Sequence, residues 1–209
     1  MSCVICQTRR PRRSCPGVHG DICAICCGAQ REVTVSCPST CEYLREARKH
    51  EPTAEFDPAT AGNPDIRVNE EFLEDHAALV LASCHALTAG ATESGAVDSD
   101  VREALASLIQ AYRTLRSGVI YEGLPANPLA ANLHRRVQLT LGQFRREETR
   151  ESGITQTRDE DVLGVLVVFE RMALDRNNGR PRCRAFLEVL PMFAGVLEPE
   201  EDAPPRLIL

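Results

Sequence analysis

The sequence predicts two unlike parts: a small α+β module held together by metal in residues 1–50, and an all-α bundle of about five helices in residues 69–195. Three observations predict this. Eight of the ten cysteines lie in the first 50 residues. After position 69 the apolar residues recur with the period of a helix, and no stretch alternates long enough to build a sheet. Aromatic residues are only 4% and Trp is absent, so the core must be mostly Leu, Val and Ala, a composition that leans towards helices.

In the first part the potential ligands are Cys3, Cys6, Cys15, His19, Cys23, Cys26, Cys27, Cys37 and Cys41. They fall into pairs of the form C-x2-C, C-x3-H, C-x2-C and C-x3-C. A tight turn between two such residues brings both onto one metal, so four pairs make two four-coordinate sites. Sulfur-rich sites of this kind favour structural zinc, with an iron–sulfur centre as the other choice. Cys27 is an alternative to His19, and would give two all-cysteine sites from the eight cysteines. "CPSTCEYLREARKH" places two ligands at the start of an amphipathic helix, from Glu42 to about His50, which is the logic of a treble clef. Short strands are expected within the module, for example Val33 to Val35. Gly17, Gly20 and Gly28 are expected to permit its tight turns.

Residues 51–68 contain Pro52, Pro58 and Pro64 and read as a linker. The first helix of the second part is expected from about Asn69 to Ala89, with Gly90 as its stop. The second starts near Asp98 or Asp100, where Asp100 and Glu103 have capping-box spacing, and its stripe is Val101, Leu105, Leu108, Tyr112 and Leu115. Asn127-Pro128 opens the third, a cap followed by proline at the first helical position, with Leu129, Leu133, Val137, Leu141 and Phe144 inward. The acidic turn Asp159-Glu160-Asp161 opens the fourth, whose run "VLGVLVVFERM", Val162 to Met172, is apolar nearly all round and belongs at the centre. The fifth runs from Pro181 to about Phe193, and residues 196–209 form a flexible tail.

Net charge is −6, distributed as a formal +4 over residues 1–50 and −10 over residues 51–209. No global basic charge points to nucleic acid. "MSCVICQTRR" lacks the apolar run of a secretory leader, and the longest apolar run is far too short to span a bilayer. A cytoplasmic location is expected, where thiols stay reduced and a cysteine cluster means metal rather than disulfides.

The order Cys-x2-Cys, Cys-x3-His, Cys-x2-Cys, Cys-Pro-x2-Cys resembles the RING finger, whose two sites interleave as a cross-brace. "CVIC" resembles the RING first knuckle, and Cys37-Pro38 resembles its seventh ligand and the proline after it. The resemblance implies one site from Cys3, Cys6, Cys23 and Cys26, and another from Cys15, His19, Cys37 and Cys41. Several features depart from the RING pattern. Eight residues separate Cys6 from Cys15, the last pair is spaced by three, no Trp lines a partner groove, and Cys27 is left over. Over most of its length the chain also resembles a group of bacterial proteins of unknown function that join such a finger to a helical body. The strings "ICAICCG" and "NNGRPRCRAFLEVL" carry that likeness. It implies no activity and stands against eukaryotic ubiquitin chemistry.

No nucleotide loop, nucleophile elbow or zinc-protease signature occurs. His76 and His85 lie about 13.5 Å apart along one helix at 1.5 Å per residue, too far to share a metal. Cys84 belongs to an apolar stripe. Cys183 lies among Arg180, Arg182 and Arg184, whose charge is expected to lower its pKa. Two arginine groups are candidate anion or nucleic-acid contacts: Arg9, Arg10, Arg12 and Arg13 in the loop between the first ligand pairs, and Arg176, Arg180, Arg182 and Arg184 before the last helix. The expected function is a non-enzymatic adaptor or regulator that binds a protein partner and carries two structural Zn²⁺. The alternatives are a nucleic-acid-associated factor using the two arginine groups, and a ubiquitin-ligase-like RING module. No small-molecule substrate or membrane partner is indicated.

Overall fold

A computed structural model of the chain describes residues 2–51, 62–116 and 123–197. Most of the expected linker and the tail from residue 198 therefore lie outside the described residues. The described protein is mostly helical, with eight helices and one two-stranded sheet. No helix in it is long and apolar enough to cross a membrane.

The first 50 residues form an antiparallel hairpin of β1 (Arg13–Cys15) and β2 (Gly20–Ile22), followed by helices α1 (Ala24–Gln30) and α2 (Glu42–Arg48). Arg13 pairs with Ile22 and Cys15 with Gly20. Cys23 caps α1, its sulfur accepting the Cys26 N–H, and Cys41 occupies the same position on α2. The strand expected at Val33 to Val35 is instead a turn. The N–H groups of Val33, Thr34 and Val35 all point at the Gln30 carbonyl, which leaves a single parallel bridge from Arg31 to Val35. Gly17 is required by packing: a Cβ there would lie 2.6 Å from the Ser36 carbonyl oxygen. A Cβ on Gly28 would meet nothing, so its expected role in a tight turn has no support in the packing.

Six helices follow. They are α3 (Glu70–Asp75), α4 (Ala77–Ser94), α5 (Asp98–Arg116), α6 (Pro128–Ser152), α7 (Asp159–Asp175) and α8 (Ala185–Leu197). The first expected helix is divided at His76, whose ring stacks on Phe72 and bonds the Phe72 carbonyl through Nδ1. It also continues past Gly90 to Gly95, which takes the left-handed conformation (φ 71°) of a helix stop. Gly90 serves a different purpose. It is buried, and a Cβ there would come within 2.9 Å of both Leu133 and Arg136, so its missing side chain lets α6 approach α4. Helix α5 begins at Asp98, and Asp100 accepts the Val97 N–H from inside its first turn rather than capping it. Asn127 caps α6 with Pro128 behind it, and Asp161 accepts the Arg158 N–H to close the start of α7.

Helix α4 packs on α6 and α8, and α5 packs on α6 and α7. Every residue from Val162 to Phe169 is buried, as expected of a central helix, while Glu170, Arg171 and Met172 at the end of the expected run are only half-buried. Leu115, placed inward by the stripe of α5, is instead 40% exposed. The body and the cysteine module each have their own core. One centres on Leu105, Leu163, Phe169 and Phe186; the other consists largely of cysteines with Ile22 and Val35.

Candidate metal centre

Cys3 and Cys6 lie in a turn in which the Gln7 N–H bonds the Cys3 carbonyl, and Gln7 takes a left-handed φ of 56° to complete it. Cys23 and Cys26 lie at the start of α1. The sulfurs of these four residues all lie within 4.8 Å of one another. Zn–S bonds of about 2.3 Å put tetrahedral sulfurs roughly 3.8 Å apart, so four sulfurs within 4.8 Å are near enough to share one such ion. The group joins the first ligand pair to the third, 17 residues apart in sequence from Cys6 to Cys23.

The surroundings favour thiolate at Cys3 and Cys6. The Thr8 hydroxyl, and the N–H groups of Thr8 and Arg9, hold the Cys6 thiol down to about 5. Cys26 goes the other way, pushed up to about 12 by burial and by the sulfurs of Cys23, Cys6 and Cys3. Four thiols this close cannot all ionise without a cation among them. The Cys23 and Cys6 sulfurs raise the pKa of the Arg9 guanidinium. Four thiolates around a divalent ion would keep a net charge of about −2, which Arg9 partly offsets.

The remaining ligand candidates lie elsewhere in the module. Cys15 ends β1, Cys27 lies in α1, and Cys37 and Cys41 precede and cap α2. All four line a cavity of about 10 Å³. His19 is exposed, at the hairpin tip with a φ of 49°, and does not line that cavity.

The two arginine groups have different settings. Arg9, Arg10 and Arg12 are exposed, while Arg13 lies over the Tyr43 ring at 4.6 Å. The second group is engaged within the protein. Arg180 donates to the carbonyls of Arg31 (2.5 Å) and Gly28 (3.4 Å). Arg182 donates through its backbone to the Glu32 carbonyl (2.8 Å) and through its guanidinium to Ser36 Oγ (2.6 Å). Arg184 donates to the Ala96 carbonyl, and Arg176 pairs with Asp175. The segment read from sequence as a candidate anion site thus grips the loop between Cys27 and Cys37. Glu32, which sequence reasoning passed over, is the centre of this contact. It is 1% exposed, takes a φ of 54°, and accepts from Arg48 (2.7 Å) and Asn178 (3.0 Å). Arg48 also pairs with Glu188 of α8.

The other candidates resolve simply. Cys183 is buried, and burial pushes its thiol up to about 11, contrary to the lowering expected from the nearby arginines. Burial likewise pushes Cys84 up to about 11, and its thiol donates to the Leu190 carbonyl. His76 pairs with Asp161 at 3.3 Å, and His85 is exposed on α4.

Comparisons of the chain with protein-family models, with curated proteins and with solved structures return no match.

Proposed function

We propose that the chain is a non-enzymatic, zinc-binding adaptor of the cytoplasm whose N-terminal module is a cross-braced, treble-clef-like finger carried on a helical body. In this reading zinc fills the Cys3–Cys6–Cys23–Cys26 group, and a second zinc takes four of Cys15, His19, Cys27, Cys37 and Cys41. Both ions are structural, because a site saturated by four protein ligands leaves no position for water or substrate.

The observation that carries the adaptor reading is a pair of aliphatic side chains. Val4 and Ile25 are 51% and 60% exposed, and each lies between the two cysteines of a knuckle in the first group. Metal ligation on both sides would hold them still, so a partner could bury them at little entropic cost. The fit between the four sulfurs and a tetrahedral ion supports zinc, and free cysteines throughout the chain suit a reducing compartment.

The test is Val4→Glu with Ile25→Glu in the full chain. A partner captured by the wild type and lost by the double variant, with zinc content unchanged and modest salt dependence, supports the reading. Equal capture by both proteins refutes it. The alternative of a nucleic-acid factor rests on the exposed Arg9, Arg10 and Arg12. It requires a steep salt dependence that charge reversal at those positions removes. Discharge of a charged ubiquitin-conjugating enzyme would instead favour the ligase alternative.

A further inference from the structure

We propose that Cys15, Cys27, Cys37 and Cys41 hold the second metal ion, with Cys27 as the ligand in place of His19, and that this ion fixes the loop on which the helical body is clamped. The proposal rests on the two-zinc reading above and names the ligands and the consequence of its second site.

Cys15, Cys27 and Cys41 are each less than a tenth exposed, and Cys37 is half-buried. They reach one cavity from three elements: the end of β1, the middle of α1 and the start of α2. Its volume of about 10 Å³ admits a single water-sized sphere. Thiols are weak hydrogen-bonding groups, so four of them offer a water little, whereas thiolates around a hole of this size suit a divalent ion with an affinity for sulfur. Leu44, fully buried, and Tyr43 help to enclose the cavity.

The bland explanation is that these cysteines simply pack as small hydrophobes. Cys84 and Cys183 do that, each a lone buried cysteine: Cys84 donates to the Leu190 carbonyl and Cys183 lies beside the Asp98 carboxylate. Packing alone gives no reason for four more to line one hole, though their sulfurs do not lie as close together as the 4.8 Å of the first group. Helix geometry supplies the reason for Cys27. Adjacent residues of a helix point about 100° apart, so α1 can deliver Cys26 to the first group and Cys27 to the second. His19 lies at the exposed hairpin tip, away from the cavity.

The consequence concerns residues 28–36, the last residues of α1 and the loop that follows them to Cys37. Ligands at both ends would anchor it to the metal. From the other side the body holds it through Arg180 on Gly28 and Arg31, Arg182 on Glu32 and Ser36, and Asn178 on the Glu32 carboxylate, which the module's own Arg48 also binds while pairing with Glu188 of α8. The loop can present Glu32 in a left-handed conformation to these donors only while its ends are fixed. Metal in the second site is therefore coupled to docking of the module on the body.

The experiment uses the full zinc-loaded chain, with zinc counted by elemental analysis and amide exchange read over residues 28–36. The wild type is expected to hold two zincs. Cys27→Ser is expected to lose one and to raise exchange in the loop at least tenfold, while His19→Ala keeps both zincs and the wild-type exchange. Alkylation of the wild type during stepwise chelation gives a readout that does not depend on a variant folding. Cys15, Cys27, Cys37 and Cys41 should become reactive together, separately from the other four. One zinc in the wild type overturns this proposal and the two-zinc reading with it. Two zincs with one lost in His19→Ala and none in Cys27→Ser, or Cys27 alkylated apart from Cys15, Cys37 and Cys41, overturns the ligand set alone. Loss of one zinc without faster exchange overturns the coupling.

Discussion

Asp98→Ala should destabilise the helical body by about 2–4 kcal/mol, because Asp98 caps a helix other than its own. Its side chain accepts the N–H of Phe186 (3.0 Å) and of Leu187 (3.1 Å), and its backbone N–H bonds the Cys183 carbonyl (2.9 Å). Phe186 and Leu187 are the second and third residues of α8, the donors that a cap normally satisfies. The residue in the ordinary capping position is Arg184, which has no oxygen to offer. Losing a cap costs roughly 0.5–2 kcal/mol, and leaving a buried donor unpaired costs about 1–3 kcal/mol. Two donors lose their partner here. Part of that loss is recovered, because Asp98 is 2% exposed and its charge is held against burial, which raises its pKa even with both N–H bonds in place.

The assay is thermal unfolding followed by helical circular dichroism at neutral pH, in zinc-loaded protein so that the module is held constant. A loss of this size should lower the midpoint by roughly 5–15 °C for a body of this length. Asp98→Asn should fall between the two, since its amide oxygen accepts one N–H while its NH2 faces the other. Midpoints for Asp98→Ala and Asp98→Asn within about 1 °C of the wild type would refute the reasoning, since both place a group there that cannot serve two donors.

His134 is 3% exposed with Nδ1 unpaired, and burial followed by the charge of Arg135 lowers its pKa, against a bond to Gln138. The unfolded chain takes up the proton first, near 6.5, so this contribution to stability is complete above that pH and is lost as pH falls towards the lowered folded value. Comparing urea midpoints of the wild type and His134→Gln between pH 7.5 and 5.5 should show the wild type losing ground as pH falls; parallel curves would refute it. A Cβ on Gly164 would lie 2.5 Å from the Phe72 ring, so Gly164→Ala should lift α3 off α7 and cost about 1–3 kcal/mol, despite its better helix propensity, measured by urea unfolding. Stripping zinc with a chelator should abolish amide protection in residues 2–51 yet leave α4 to α7 protected, because the two cores are separate. Loss of protection in α7 together with the module would show the two to be one cooperative unit.

What was legible in the sequence was local. Asn127-Pro128 announced α6 because a cap and its helix are neighbours in the chain, and Val162 to Phe169 announced a central helix because burial on all sides leaves an unbroken apolar run. The first metal group could be read from spacing as two knuckles, and the RING resemblance supplied their interleaving. Gly90 reads as a stop because a glycine that ends a helix and a glycine that admits a neighbouring helix look alike in one dimension. Asp98 was read as a helix start and not as the cap of α8, since its partners are 88 and 89 residues away. The same limit applied to the loop gripped by Arg180 and Arg182, whose contacts span about 150 positions, 149 for the Arg180–Arg31 bond.

The arginines show where composition stops being informative. With 23 Arg and one Lys, the ratio reads as a genomic bias and says nothing about any single position. The structure separates positions where only the guanidinium fits. Arg180 reaches two carbonyls, Arg171 reaches the carbonyls of Asn63 and Ile66, Arg113 reaches Asn63 and Asp65, and Arg48 reaches Glu32 and Glu188. In each case one rigid fork joins two groups, an arrangement that the point charge of a lysine on a flexible stem cannot hold in the same way. Two of these forks tie the cysteine module to the body, Arg48 through Glu188 of α8 and Arg180 through the carbonyls of Gly28 and Arg31. Whatever the bias that supplied the arginines, the fold uses their shape to make docking of the module depend on the conformation of a loop whose two ends are cysteines.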